Sequence, residues 1–257
     1  MEWLLALFLL GVIVWLMSDN QLGEPMDITP RKRLCDYFAS GGVFEPVSDV
    51  IRRGSRLYEV HVYSDERDQP VVANKAQNDG YDYAADNTSF EQVCVDIVND
   101  AFPSKDPFIL SIVLHSEKSI IANRVATHLK ETVRRYLIQT ERDVARAPID
   151  ALANKLILVA GGHARGTELE PLVNLFWTER NLRRLSWHEA ANPRDEPELL
   201  AFNQDHITMV APHPELRVVN AHPSRPKTFG CQWNLLDRSG GGFVEKPAVR
   251  KKTLLPQ

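Results

Sequence analysis

Eight strand-like segments, separated mostly by helix-like ones, predict an α/β chain folded as a distorted (β/α)8 TIM barrel. Two further observations agree. The chain has 257 residues, of which 44% are hydrophobic and 25% charged, and a single barrel with one large core takes about 250 residues. Phe108 to His115, interrupted by Ser111 alone, and Lys155 to Ala160 hold apolar runs, as strands covered on both faces of a parallel sheet do. No internal repeat is visible, so a solenoid is excluded.

From Trp3 to Met17 the sequence is continuously apolar, and Asp19 is the first charge after it. A spanning helix needs about 20 apolar residues, with a lower limit near 17. Residues 1–18 are therefore read as one transmembrane anchor, with Trp3 and Trp15 near the two interfaces, where indole is favoured. Glu2, the lack of Lys or Arg ahead of the apolar stretch and the lack of a small-x-small site after Trp15 argue against a cleaved signal peptide. Residues 19–30, with Pro25 and Pro30, read as a linker. The Arg31-Lys32-Arg33 cluster that follows places the globular part, residues 31–257, on the cytosolic side of a single-pass membrane protein.

Leu34 to Ala39 is the first predicted strand, and Pro46 to Arg53 repeats apolar residues at helical spacing. Arg56 to Tyr63 alternates as a half-buried strand should. A long polar loop from Asp65 to Ser89 replaces a helix and is the distortion; Val71 to Asn74 is a short strand within it. Ser89 to Phe102 opens with the Ser-x-x-Gln capping pattern and carries Val93, Ile97 and Val98 on one face. After the strand at Phe108 to His115 comes a long amphipathic helix, Ser119 to Ile138, then the strand to Ala160 and a helix from Glu168 to Trp177. Leu185 to His188, Ile207 to Ala211 and Cys231 to Asp237 are the last strands, with Glu196 to Phe202 helical. Cys35, Cys94 and Cys231 lie at unrelated spacings inside apolar patterns and read as reduced core thiols. The net charge of −4 gives no general drive toward nucleic acid, and none is expected as a partner.

Near the end, Gly230-Cys231-Gln232-Trp233-Asn234-Leu235-Leu236 and then Gly240 to Pro247 resemble the carboxyl-terminal catalytic half of phosphoinositide-specific phospholipase C. Arg33 to Phe38, Gly54 to His61, Pro70 to Asn74, Ser89 to Phe102 and Phe108 to Ser111 resemble the amino-terminal half, in the same order. The apolar amino terminus with a Cys-Asp-Tyr first strand is also similar to phospholipase C-like proteins of large DNA viruses. The resemblance implies a phosphodiesterase-type barrel whose active members use two histidines. One stabilises a pentavalent phosphorane, and the other handles the proton of the attacking hydroxyl. Calcium held by an asparagine and three carboxylates assists.

Followed through this sequence, those positions are mostly replaced. The first histidine and asparagine fall in Ala39-Ser40-Gly41-Gly42-Val43; the paired acids fall on Glu59 and His61; the second histidine falls on Asn74. A Ser-x-Glu-x-His run falls on Ser111 to His115, with Val113 at the carboxylate, and two phosphate-holding lysines fall on Val159 and Gly161. The arginine and tyrosine expected farther on fall near Met209 and Ala211. Candidate substrate contacts are Asn74, Ser111, Ser186 and, in the loop after Ala160, His163 and Arg165.

Calcium is therefore not expected, and no cofactor is. The reading is a membrane-tethered barrel without ordinary phospholipase C activity that binds anionic phospholipid headgroups or a protein partner. Its alternative is an active phosphoric diester hydrolase with Glu59, His61 and His115 as a rebuilt catalytic set. Because Glu59 and His61 share a strand face, and His115, His163 and His213 fall at predicted strand ends, a zinc-type ion on Glu59 and His61 is a further alternative to ordinary rim histidines.

Overall fold

The computed structural model describes residues 32–73, 75–77, 80–82, 88–139, 143–177, 179–212 and 222–247. Eight strands form the staves of a barrel: β1 (Tyr37–Val43), β2 (Leu57–Ser64), β3 (Phe108–Leu114), β4 (Leu156–Ala160), β5 (Leu175–Phe176), β6 (Leu182–Ser186), β7 (Ile207–Ala211) and β8 (Trp233–Asn234). Hydrogen-bonded neighbours run β6-β7-β8-β1-β2-β3-β4-β5, and every pairing in that series is parallel. Among the described residues no ladder joins β5 to β6, so the barrel is closed except for one seam.

Strand parity sorts the core. On β2, Tyr58, Val60 and Val62 face outward into a cluster that includes Phe90, Val93 and Ile97 of the helix α1 (Phe90–Asp100), whereas Leu57 faces inward with Ile109, Ile157, Met209 and Trp233. Ser89 caps α1 as its sequence predicts, its hydroxyl accepting from the Gln92 N–H at 3.1 Å. The last strand among the described residues, Phe243–Glu245, runs antiparallel to the start of β1. It is reached through Gly240, whose φ of 73° is left-handed. A Cβ there would overlap the Arg53 carbonyl oxygen, so only glycine fits.

The barrel agrees with the predicted class, but two of its predicted parts exchange roles. The segment Pro70–Val72 is not a stave; it pairs antiparallel with β2 and with Thr88–Ser89 as a hairpin-like extension. Residues 65–69 are too few for a parallel crossover, which needs about a dozen. The missing stave is β5, inside the segment predicted to be helical from Glu168 to Trp177. Only one 3-10 turn, Glu170–Leu172, forms there. Asn174 then exchanges two hydrogen bonds with Leu158 of β4, its own N–H donating to the Leu158 carbonyl and its Oδ1 accepting from the Leu158 N–H, both at 2.8 Å. Those bonds align the next two residues as strand.

Smaller shifts follow local chemistry. Leu34–Asp36 is a 3-10 turn ahead of β1, and the long helix after β3 is α-helical only over Ser119–His128 before a π turn, Leu129–Val133, and a 3-10 turn, Arg134–Tyr136. The predicted strand at Leu185 to His188 lies instead at Leu182–Ser186, because Ser186 and Glu189 form a reciprocal capping box that starts a helix at Trp187. Of Cys231 to Asp237, only Trp233–Asn234 pairs as strand. No helix among the described residues is long and apolar enough to cross a membrane. The predicted anchor, residues 1–18, and the linker lie outside the described residues.

Candidate active site

Polar side chains of the barrel interior converge on Glu59. Adjacent strands bring Val43, Glu59, Ser111, Val159 and Leu175 into lateral register, and strand parity turns Glu59 inward. Its side chain has 0% exposure. From β6, on the far side of the seam, Arg184 reaches across the interior: Nη2 donates to Glu59 Oε1 at 2.8 Å and Nε to Oε2 at 3.4 Å. The Ser111 hydroxyl donates to Oε2 at 3.1 Å, and His61 Nε2 lies 3.3 Å from Oε1. Burial alone would raise the Glu59 pKa, but the hydrogen bond from His61 and the Arg184 charge outweigh it and hold the carboxyl below its ordinary value.

One layer higher, His61 Nδ1 meets His115 Nε2 at 2.8 Å. With Glu59 ionised and both rings neutral, His61 Nε2 donates inward and its Nδ1 accepts from His115, leaving the His115 Nδ1 lone pair outward. His115 stacks on Tyr63 with ring centroids 4.2 Å apart, and His61 lies against Phe44 at 4.6 Å. Protein packed on its inner side, with His61 and His163 adding repulsion, pushes the His115 imidazole down to about 4, although its outer face is exposed. The Arg184 guanidinium lies over Trp177, 4.9 Å from the ring centroid.

Glu59, His61, His115 and Ser111 are thus brought together as one hydrogen-bonded chain. Ser186, Arg165 and His163 are not part of it. Ser186 spends its hydroxyl on the helix cap. Arg165 pairs with Glu170 at 3.1 Å and with Glu179, and lies over Phe176. His163 is exposed in the turn Gly162–Ala164. Asn74 and His213 lie outside the described residues. Arg184 and Trp177 were not anticipated: placing the strand from Leu182 instead of Leu185 shows the signal, since 182, 184 and 186 then share a face and an arginine points inward.

These donors do not fit calcium, which takes about six to eight oxygen ligands. The Glu59 carboxylate is neutralised by a guanidinium, and Val113 stands level with His61. A side chain cannot be restored at the glycines of β1 without displacement: a Cβ on Gly41 would meet the Leu57 carbonyl oxygen at 2.8 Å, and one on Gly42 would meet Val50 Cγ2 at 2.6 Å. A zinc-type ion finds both His61 nitrogens engaged, and no group of three or more His, Cys, Asp or Glu is placed to hold a metal among the described residues.

Residues 35–160 match the sequence model of the phosphatidylinositol-specific phospholipase C X domain. The chain is phospholipase C-like. Its fold matches PLC21 of S. officinalis with a TM-score of 0.66 at 15% identity, covering 86% of this chain and 39% of that one. PLC21 of L. pealei matches with a TM-score of 0.68 at 14% identity, covering 88% and 38%. A calcium-dependent phosphoinositol-specific phospholipase C from Pseudomonas sp matches with a TM-score of 0.56 at 10% identity, covering 88% and 97%. The phospholipase C-like chain thus spans well under half of either PLC21 chain and nearly all of the bacterial one, and at these identities the likeness is one of fold. No curated protein matches it in sequence.

Proposed function

We propose that this phospholipase C-like barrel is calcium-independent and binds an anionic phosphoester headgroup at its rim without hydrolysing it, tethered to a membrane by residues 1–18 with the barrel on the cytosolic side. The observation that carries the reading is the Arg184–Glu59 pair, with 23% and 0% side-chain exposure. It cancels, inside the barrel, the charge that would otherwise recruit a divalent cation. Proton handling is weak as well. An imidazole titrating at about 4 is protonated in only about one molecule in a thousand at pH 7, so His115 is a poor acid, and it is a weaker base than one matched to neutral pH. The outward lone pair of His115 Nδ1 remains to accept from a headgroup hydroxyl, and the exposed His163 ring is a second hydrogen-bonding group at the rim.

A second reading is favoured by the chain Glu59–His61–His115 itself. A buried carboxylate orients one imidazole and that orients the next, an arrangement that supports general-base hydrolysis of a phosphodiester. The two readings separate in one assay: hydrolysis of phosphatidylinositol and its phosphates by the full chain, with calcium, zinc or chelator, beside a Glu59→Gln/His61→Ala variant. No turnover under any condition, with inositol phosphates still bound and binding weakened by His115→Ala, is the expected result. Turnover that disappears in the variant overturns it in favour of the hydrolase; neither turnover nor binding turns the assignment to a protein partner.

A further inference from the structure

At the opposite end of the barrel from the rim, a cavity of about 860 Å³ opens between the end of the long helical segment and the two turns that precede β4. Leu137 is bridged to Leu156, the first residue of β4, and Pro148 to Arg33, just ahead of β1. The cavity therefore lies under the amino ends of the strands. Its size falls within the about 300–1,000 Å³ of small-molecule sites.

Two chemistries line it. Leu137, Val144, Pro148 and Leu152 supply an apolar wall, while Arg134, Arg135, Arg146 and Lys155 stand, among the described residues, against one carboxylate, Asp143. In a chain of net charge −4, that excess is local rather than compositional. Arg146 is engaged, with Asp143 at 3.8 Å and Asp205 at 4.0 Å. The side chains of Arg134 and Lys155 have no polar partner among the described residues, and Arg135 only covers the Tyr136 ring. The bridge between Leu137 and Leu156 brings the stretch that carries Arg134 and Arg135 beside the stretch that carries Lys155.

We infer that this cavity binds an anionic phospholipid, with an acyl chain against the apolar wall and the phosphate at Arg134, Arg135 and Lys155. A recess that joins an apolar wall to cations without polar partners among the described residues suits a molecule that carries both an acyl chain and a negative charge. Arginine pairs make short, charge-assisted bonds to phosphate oxygens. The residues lie away from the rim, so this site and the proposed rim function stand or fall separately.

The test is titration of the full chain, held in a neutral detergent, with dioctanoyl phosphatidylglycerol and with dioctanoyl phosphatidylcholine. Binding is followed by calorimetry and by amide hydrogen exchange over residues 134–155. The anionic lipid is expected to bind more tightly and to slow exchange there, and the neutral lipid to do neither. Each cation contributes roughly fivefold, so Arg134→Ala/Arg135→Ala/Lys155→Ala should weaken binding about a hundredfold. Ala151→Trp, at an exposed lining position, should block the cavity while leaving the cations in place. Equal affinity for the two lipids, or unchanged affinity in both variants, overturns the assignment. So does exchange over 134–155 that is slow before lipid is added and unaltered by it, which would mean the chain fills its own cavity. Protection by an acidic amphipathic peptide with no response to lipid would make it a protein-docking site instead.

Discussion

Replacing Arg184 with Met leaves the Glu59 carboxylate inside the barrel with only Ser111 and His61 to compensate its charge. Removing one partner of a buried ion pair costs about 3–5 kcal/mol, which for a domain of this size lowers Tm by roughly 6–20 °C. The reverse change should be milder. In Glu59→Gln the amide still accepts from Ser111, and Arg184, with 23% side-chain exposure, can turn toward water. Its loss is expected near the about 1.5–3 kcal/mol of a charged hydrogen bond. In the Glu59→Gln background no buried charge remains to be stranded, so Arg184→Met should then cost about 1 kcal/mol or less. The assay is urea unfolding of all four proteins, read by far-UV circular dichroism at constant m-value. If Arg184→Met costs under about 1 kcal/mol in the wild-type background, or the same in both backgrounds, the guanidinium is not what keeps the carboxylate ionised, and the charge argument against calcium fails.

Millimolar calcium should leave Tm where chelator leaves it, since a ligand stabilises only in proportion to its binding; a reproducible rise would restore a calcium site. Acid stability should fall in two steps. His115 titrates at about 4 in the fold and at about 6.5 when unfolded, so the unfolded chain takes the proton first. The stability present above about pH 6.5 is therefore lost progressively down to about pH 4. Glu59, lowered in the fold, adds a loss only below its unfolded value of about 4.3. His115→Ala should remove the upper step from a pH series of urea midpoints, and an unchanged upper step would show that His115 is not shifted. Burial raises the thiols of Cys35, Cys94 and Cys231, to about 11, 12 and 12 respectively. None should react with Ellman's reagent before unfolding, and rapid native labelling would contradict their placement. Gly240→Ala should cost at least about 1–3 kcal/mol of strain, and a neutral result in urea would mean the loop has another conformation open to it.

The sequence was most legible where burial sets a pattern. The apolar runs at 108–114 and 156–160 and the alternation at 57–64 each became staves within a residue or so of their predicted bounds. The count of eight was right for a partly wrong reason. Pro70–Val72 has strand chemistry but too short a lead-in to cross over. Leu175–Phe176 is too short to show a period, and becomes strand only because Asn174 is bonded to Leu158. For the candidate site, the meeting of Glu59, His61 and His115 was readable from parity and from the resemblance. Arg184 was not, because a three-residue misplacement of its strand left it outside the barrel pattern. What no local pattern carries is that its guanidinium would cross the interior from β6 to a carboxylate on β2.

The unpaired seam gives that crossing a mechanical meaning. Between β5 and β6 the polypeptide is the only covalent join, so a cut there severs no ladder; the stretch to Phe176 and the stretch from Leu182 would remain zipped along β8 and β1. Arg184 and Glu59 belong to different pieces, and their pair spans the gap as an internal brace. A chain nicked between Phe176 and Leu182 would then be two fragments whose docking is steered by one buried charge pair. The seam is accordingly where length can be added to this barrel at least expense to its sheet.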